Sequence, residues 1–268
     1  MPKEHNQNQT LMKLGASYNL FDGEELLESS ILSIRDNVDY ISVVFQTQSN
    51  CGKPCNAGLT DILSQLQQKG LIDHIEHYTP SLDKNLHFNE TKKRNIGLEL
   101  SRENGCTHHL SLDTDELYDP EQFYLAKEII QENDFDSSVC RLVTYYKNNH
   151  TILDPMEDYF VSFIYKIRPD VIYRPMSFPV LVDPTRRMDA GKMIEFEVDE
   201  LVMHHFSYVR RNLRMKLENS SAKTNWNDEM MENVISHFDQ WQAGMQALLA
   251  PQTYHATKQI TPLFNVSV

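Results

Sequence analysis

Residues 108–118 read His-His-Leu-Ser-Leu-Asp-Thr-Asp-Glu-Leu-Tyr, with three carboxylates, Asp113, Asp115 and Glu116, inside four positions. The alternating Leu110 and Leu112 before them spell a β-strand. Asp and Glu are poor strand residues, so the strand should stop where the acids begin. In an open α/β sheet ligands sit beyond the carboxyl ends of strands, so acids placed there face a crevice. Asp113 and Asp115 share one side of an extended backbone, and Mg²⁺ and Mn²⁺ take oxygen ligands, so the two can serve one cation. The plainer reading of the same residues is an acidic turn capping a helix that opens at Asp119-Pro120.

A second stretch with ligand chemistry is His204-His205-Phe206-Ser207-Tyr208-Val209-Arg210. Neutral imidazole is a competent ligand for Mn²⁺, and strand alternation sends His204 and His205 to opposite faces, so at most one coordinates. We expect it to be His205; a buried histidine satisfied by a backbone carbonyl is the alternative. Arg210, Arg211, Arg214 and Lys216 make a basic stretch in an acidic chain, suited to clamping a diphosphate or simply to facing water from a helix. Lys92, Arg94 and Asn95 stand at the start of a helix, where basic groups oppose the dipole, which suggests a role toward a nucleotide rather than plain surface charge.

These residues belong to a chain of 268 residues, long enough for one α/β domain with a subdomain. Twenty-five Lys and Arg against 38 Asp and Glu give a net charge of -13, which argues against a polynucleotide partner. The start of the chain is polar without a signal core, and no run of about 18 apolar residues occurs, so a cytoplasmic protein without a transmembrane segment is expected. A peripheral contact with the inner face of the membrane stays open through the apolar face of the last helix, although its acids disfavour an anionic surface. Cys51, Cys55, Cys106 and Cys140 are too sparse for a disulfide scaffold and read as free thiols. Cys51, Cys55, Cys106 and His108 match no standard zinc spacing.

The elements alternate. Strands are expected at 11–18, 40–45, 72–78 and through the acid-bearing stretch, with helices at 22–34, 59–69 and 89–103 between them. That succession predicts a mostly parallel central sheet flanked by helices. A helix at 121–132 and a strand at 137–147 follow; then the alternation weakens, with strands at 159–167 and 200–209 around a Pro- and Arg-rich loop. An amphipathic helix over 228–249 closes the chain. We divide it into a polar tail, 1–10, a main domain, 11–215, and a C-terminal helical extension, 216–268.

Tyr18-Asn-Leu-Phe-Asp-Gly-Glu-Glu25 after the first strand, Lys92-Lys-Arg-Asn-Ile-Gly-Leu-Glu-Leu100 on the third helix and Leu112-Asp-Thr-Asp-Glu116 together resemble family 2-like glycosyltransferases of the GT-A fold. The resemblance covers about the first 150 residues well and the rest loosely. It implies that the main domain is catalytic, with a nucleotide-binding half (11–118) and an acceptor half (119–215). It also implies that the acids bind a divalent metal bridging the diphosphate of a nucleotide sugar, with Asp115 the principal ligand, Asp113 near the metal or the ribose, and His204 or His205 completing the site. Tyr18, Gln46, Lys92, Arg94, Asn95, Asp113 and Arg210 would then meet the nucleotide sugar. The chain departs from the family after the second strand, where Gln46-Thr-Gln-Ser49 replaces an acidic pair; Gln46 still donates and accepts hydrogen bonds to a base.

An inverting transferase needs a carboxylate to deprotonate the acceptor hydroxyl. Glu157-Asp158 resembles the family's pair but lies close to the acids, and Asp189 and Asp183 are rivals. The expected activity is transfer from a nucleotide-diphosphate sugar, with Mn²⁺ or Mg²⁺, to a glycan or lipid-linked acceptor in surface polysaccharide synthesis. The alternatives are a sugar nucleotidyltransferase, for which Tyr18 to Gly23 make a poor phosphate loop, and a non-catalytic glycan-binding scaffold.

Overall fold

A computed structural model describes residues 11–219 and 226–266; the polar tail at 1–10 lies outside them. The first half is built as the alternation predicts. Strand β1 (Leu14–Leu20) is followed by α1 (Glu24–Ile34), β2 (Tyr40–Phe45), α2 (Leu59–Gln68), β3 (His74–His77), α3 (Leu86–Glu103) and β4 (His108–Asp113). The strands lie side by side in the order β3-β2-β1-β4, all parallel. β1 and β2 are buried on both faces, which is why they read as near-continuous apolar runs. Helix α1 opens with Glu24 and Glu25, favourable at its positive end, and buries Leu26, Leu27, Ile31 and Ile34. Helix α3 starts three residues earlier than the sequence pattern indicated, because the Asn85 side chain caps it by accepting from Phe88 N at 2.8 Å.

Beyond β4 the sheet becomes mixed. After the acids the chain forms a short β5 (Glu116–Tyr118), then α4 (Pro120–Asn133), whose N-cap Asp119 accepts from Glu121 N and Gln122 N, both at 3.0 Å. Strands β6 (Ser137–Tyr146), β7 (Thr151–Leu153), β8 (Phe160–Lys166), β9 (Met193–Glu195) and β10 (Val202–Tyr208) follow. β8 enters antiparallel between β4 and β6, while β10 runs parallel to β6 and antiparallel to β5. Pairing with β5 sets His205 opposite Glu116, so the late histidines reach the acids through the sheet itself.

The C-terminal extension is only partly helical. Helix α5 (Leu213–Asn219) precedes α6 (Asp228–Gln240), which ends nine residues before the expected Leu249. Trp241 turns to extended backbone, Gly244 takes a left-handed φ of 94°, and the apolar 247–249 run becomes β11 (Ala247–Ala250), paired with β12 (Thr253–His255). Strand β13 (Thr257–Gln259) then adds to β7 at the sheet edge. The four cysteines are free thiols. Among the described residues no helix is long and apolar enough to cross a membrane.

The packing that matters most for the site is α3 on β1. A Cβ on Gly97 would overlap Ser17, and one on Gly15 would overlap Ser101, so the helix lies unusually close to the strand. That contact fixes the height at which α3 presents Lys93 and Arg94 to the strand ends. Gly97→Ala should therefore cost about 1–3 kcal/mol, the range for overpacking, and lower the midpoint of thermal unfolding by several degrees. Adding Ser17→Gly should restore part of the loss; a Gly97→Ala variant as stable as the parent would contradict this packing.

Candidate active site

The carboxyl ends of β1, β2 and β4 open into one cleft, with a volume of about 300 Å³, between the sheet, the start of α3 and the segment after β10. The three acids do not share a single environment. Asp113 receives Arg94 Nη2 at 3.1 Å and Arg186 Nη2 at 2.7 Å. Glu116 is buried and takes both terminal nitrogens of Arg186, Nη1 at 3.0 Å and Nη2 by a shorter contact, while also accepting from Asp113 N at 3.2 Å. Asp115 instead faces Arg210 Nη2, Lys216 Nζ at 3.4 Å and His205 Nε2 at 3.7 Å. Two arginines thus hold one end of the motif, and a second cationic pair holds the other.

The electrostatics follow from that division. Burial alone would raise the Asp113 and Asp115 carboxyls, but Arg94 and Arg186 outweigh it at Asp113, and Arg210, Lys216 and His205 outweigh it at Asp115. Both stay ionised far below the usual carboxylate range. Glu116 moves the other way, because burial and the neighbouring acids prevail over Arg186. Burial brings Lys216 down to about 8 and lowers Lys93, which Glu90 and Asp113 only partly offset. Burial likewise lowers His205, so its imidazole is neutral at pH 7 and its lone pair is available to a cation.

Several polar groups in the cleft lack partners among the described residues. Both amide atoms of Asn19, Oε1 of Gln46 and Nη1 of Arg210 are buried and unpaired. Such groups are costly to leave unsatisfied and are natural contacts for a polar ligand. Gln46 is oriented by its Nε2, which donates to Gln48 O at 2.8 Å and Asn50 Oδ1 at 3.3 Å. Gly23 sits beneath Arg210 with φ of 79°; any side chain there would collide with the guanidinium.

The expected site residues separate cleanly. Gln46, Arg94, Asp113, Asp115, His205 and Arg210 line the cleft together. His204 points to the opposite face, its Nδ1 3.0 Å from the Tyr145 hydroxyl, as strand alternation requires. Tyr18 is core, its hydroxyl 3.0 Å from Ser30 Oγ, and its neighbour Asn19 takes the cleft position. Lys92 is exposed while Lys93 is buried and faces the cleft, a one-residue shift in helical phase. Asn95 pins the chain at Tyr173 through its backbone N and O, both at 2.9 Å. Glu157 lies in an adjoining cavity with Asp183, whereas the Asp158 side chain is 94% exposed and pairs with Arg141, and Asp189 pairs with Arg168 away from the cleft. Asn19, Asp22 and Lys93 lie in the stretches that carry the resemblance but are not singled out there, and Arg186 and Glu90 are cleft or network residues with no sequence signal beyond their residue type.

A divalent cation fits this donor set in a limited way. Among the described residues no three His, Cys, Asp or Glu side chains form a ready cation cage. Asp115 and His205 are close enough to hold one ion, and Asp113 is tied to two arginines, so ligand oxygens or water must supply the rest. That is the usual arrangement for Mg²⁺ and Mn²⁺ with phosphates.

The Arg186 network gives a direct test. Arg186→Met leaves Glu116 buried and unpaired, which should cost about 3–5 kcal/mol in urea unfolding. Adding Glu116→Gln should recover much of that loss. Equal stability of Arg186→Met and the parent would show that the network does not hold in solution.

No family model matches the chain, and no curated protein matches it. Among solved structures, S. aureus TarS aligns over 85% of this chain and 43% of its own, at 12% identity and a TM-score of 0.46. TarS 1–349 in complex with UDP aligns over 51% of this chain and 37% of its own, at 14% identity and TM-score 0.38. The mannosyltransferase PcManGT from Pyrobaculum calidifontis, in complex with GDP-Man and Mn²⁺, aligns over 51% and 37%, at 13% identity and TM-score 0.35. Each match spans less than half of the neighbour's length. At identities of 12–14% and TM-scores below 0.5 the likeness carries no family, donor, metal or acceptor across to this chain.

Proposed function

We propose that this protein is a metal-dependent glycosyltransferase that uses a nucleotide-diphosphate sugar, and that the cleft at the strand ends holds the donor. The observation that carries the reading is Asp115, a buried carboxylate that faces a neutral histidine and is ringed by Arg210 and Lys216. A carboxylate and an imidazole suit a divalent cation, while an arginine and a lysine beside them suit a diphosphate. Asp115 and His205 would hold Mn²⁺ or Mg²⁺, which when bound offsets charge on the leaving diphosphate. Lys93, Arg210 and Lys216 supply further positive charge to the same phosphates. The unpaired amides of Asn19 and Gln46 suit the polar edge of a base or ribose.

For an inverting course the acceptor hydroxyl gives its proton to a carboxylate as its oxygen bonds to the anomeric carbon and the bond to the phosphate breaks. Glu157 and Asp183 are the carboxylates supported by position, both lining the cavity beside the cleft. Asp158 and Asp189, with their arginine partners outside it, receive no such support.

The test is a thermal-shift panel of UDP, GDP, CDP and TDP, with CMP beside them, with and without Mn²⁺, on the parent and Asp115→Ala. A ligand at about 100 times its dissociation constant adds roughly 2.7 kcal/mol to the folded state. One diphosphate should stabilise the parent strongly only with metal, and Asp115→Ala should abolish the metal-dependent part. If no nucleotide shifts the parent, the donor reading falls and a scaffold reading replaces it. Equal sugar binding in chelator would also favour the scaffold.

A further inference from the structure

Beside the donor cleft lies a second cavity of about 280 Å³ that shares Asp113, Asp183 and His205 with it. The two spaces differ in what they can accept. The lining of the second cavity combines apolar groups, Leu142, Tyr159, Phe160, Val161 and Met203, with the carboxylates of Glu116, Glu157 and Asp183 and the guanidinium of Arg186.

The two terminal nitrogens of Arg186 are already engaged by acids and a backbone carbonyl. Its Nη1 donates to Glu116 at 3.0 Å and reaches Ser111 O at 3.4 Å, and its Nη2 donates to Asp113 at 2.7 Å and to Glu116. Its charge is matched by those two acids before any ligand arrives. The other carboxylates still have capacity. Thr144 Oγ1 donates to Oε2 of Glu157, at 2.5 Å, and leaves Oε1 open. Oδ1 of Asp183 takes Thr185 N at 2.7 Å and Thr185 Oγ1 at 2.8 Å, leaving Oδ2 open. Two open carboxylate oxygens beside apolar groups with a half-buried tyrosine match a ring with hydroxyls on its edge and C–H groups on its face. An acidic ring would meet a lining of four carboxylates, Asp113, Glu116, Glu157 and Asp183, against one arginine already paired with two of them.

We propose that this cavity receives the reacting sugar of the acceptor, and that this sugar is neutral or bears an amine, with carboxylated and phosphorylated sugars excluded. The proposal rests on the donor reading above for the direction of the reaction, since the shared wall puts a hydroxyl held by Glu157 next to the donor. The proton of that hydroxyl passes to Glu157, its oxygen bonds to the anomeric carbon, and the electron pair of the breaking bond leaves on the diphosphate.

Saturation-transfer NMR tests the cavity with methyl glycosides of glucose, galactose and mannose, each beside its 2-amino and its uronic acid counterpart. The titration is run on the protein alone and with Mg²⁺ and each nucleoside diphosphate. At least one neutral or amino glycoside should bind, its uronate at least tenfold more weakly. Glu157→Gln should narrow that gap to under threefold, with the nucleotide-induced thermal shift unchanged. A uronate that binds the parent as tightly as its neutral partner overturns the proposal, as does a panel in which no neutral or amino glycoside binds. Failure of the donor reading shows separately, as a protein that no nucleotide stabilises, and the selectivity measured without nucleotide still decides the cavity.

Discussion

Three carboxylates at the end of one strand cannot leave water unless cations come to meet them, and the folded chain is arranged around that requirement. Arg94 arrives from α3, Arg186 from the turn after Asp183, and Arg210 and Lys216 from the segment after β10. Arg94 and Asp113 pair within the first half, but Arg186, Arg210 and Lys216 come from the second, so the acids are fully matched only when both halves of the sheet have closed. Breaking one such pair leaves a buried charge without a partner, which is far more costly than losing an exposed salt bridge. The close approach of α3 to β1 at Gly97 and Gly15 serves the same end, because it sets where Arg94 stands.

The pairing also divides labour along four residues. Asp113 and Glu116 are bound into a network with two arginines and act as structure, whereas Asp115 is held by residues whose chemistry also suits phosphate. In the cleft Lys93, Arg94, Arg210 and Lys216 stand among the acids, whereas in the second cavity Arg186 alone faces four carboxylates and open carboxylate oxygens remain. A donor that leaves as an anion and an acceptor that arrives as a hydroxyl need opposite surroundings, and the two cavities provide them a few side chains apart.

Much of this could be read from residue order. The parallel half of the sheet, the strand that delivers the acids and the placement of His204 and His205 on opposite faces follow from hydrophobic period and strand alternation. What was misread traces to phase and to long-range contacts. Tyr18 and Asn19 differ only by strand parity, and Lys92 and Lys93 by one step on a helix whose true start depends on the Asn85 cap. The strand after the acids was hidden because Glu116 is a poor strand residue, tolerated there through Arg186. Arg186 itself lies in a proline-rich stretch with no period to mark it. The last apolar run, Ala247 to Leu249, fits a helix as well as a strand locally, and Gly244 decides the matter only in three dimensions.

In the proposed donor site Asp115 and His205 would hold the cation while Arg210 and Lys216, which pair with Asp115 in this structure, would turn to the diphosphate. Mn²⁺ binding followed by electron paramagnetic resonance, as loss of the free-ion signal, tests this arrangement most directly when run with and without the stabilising nucleoside diphosphate. Little Mn²⁺ should bind to the protein alone and much with the nucleotide present, and Arg210→Ala should increase the first and decrease the second. Mn²⁺ bound equally well with and without nucleotide, or retained in Asp115→Ala, would contradict it.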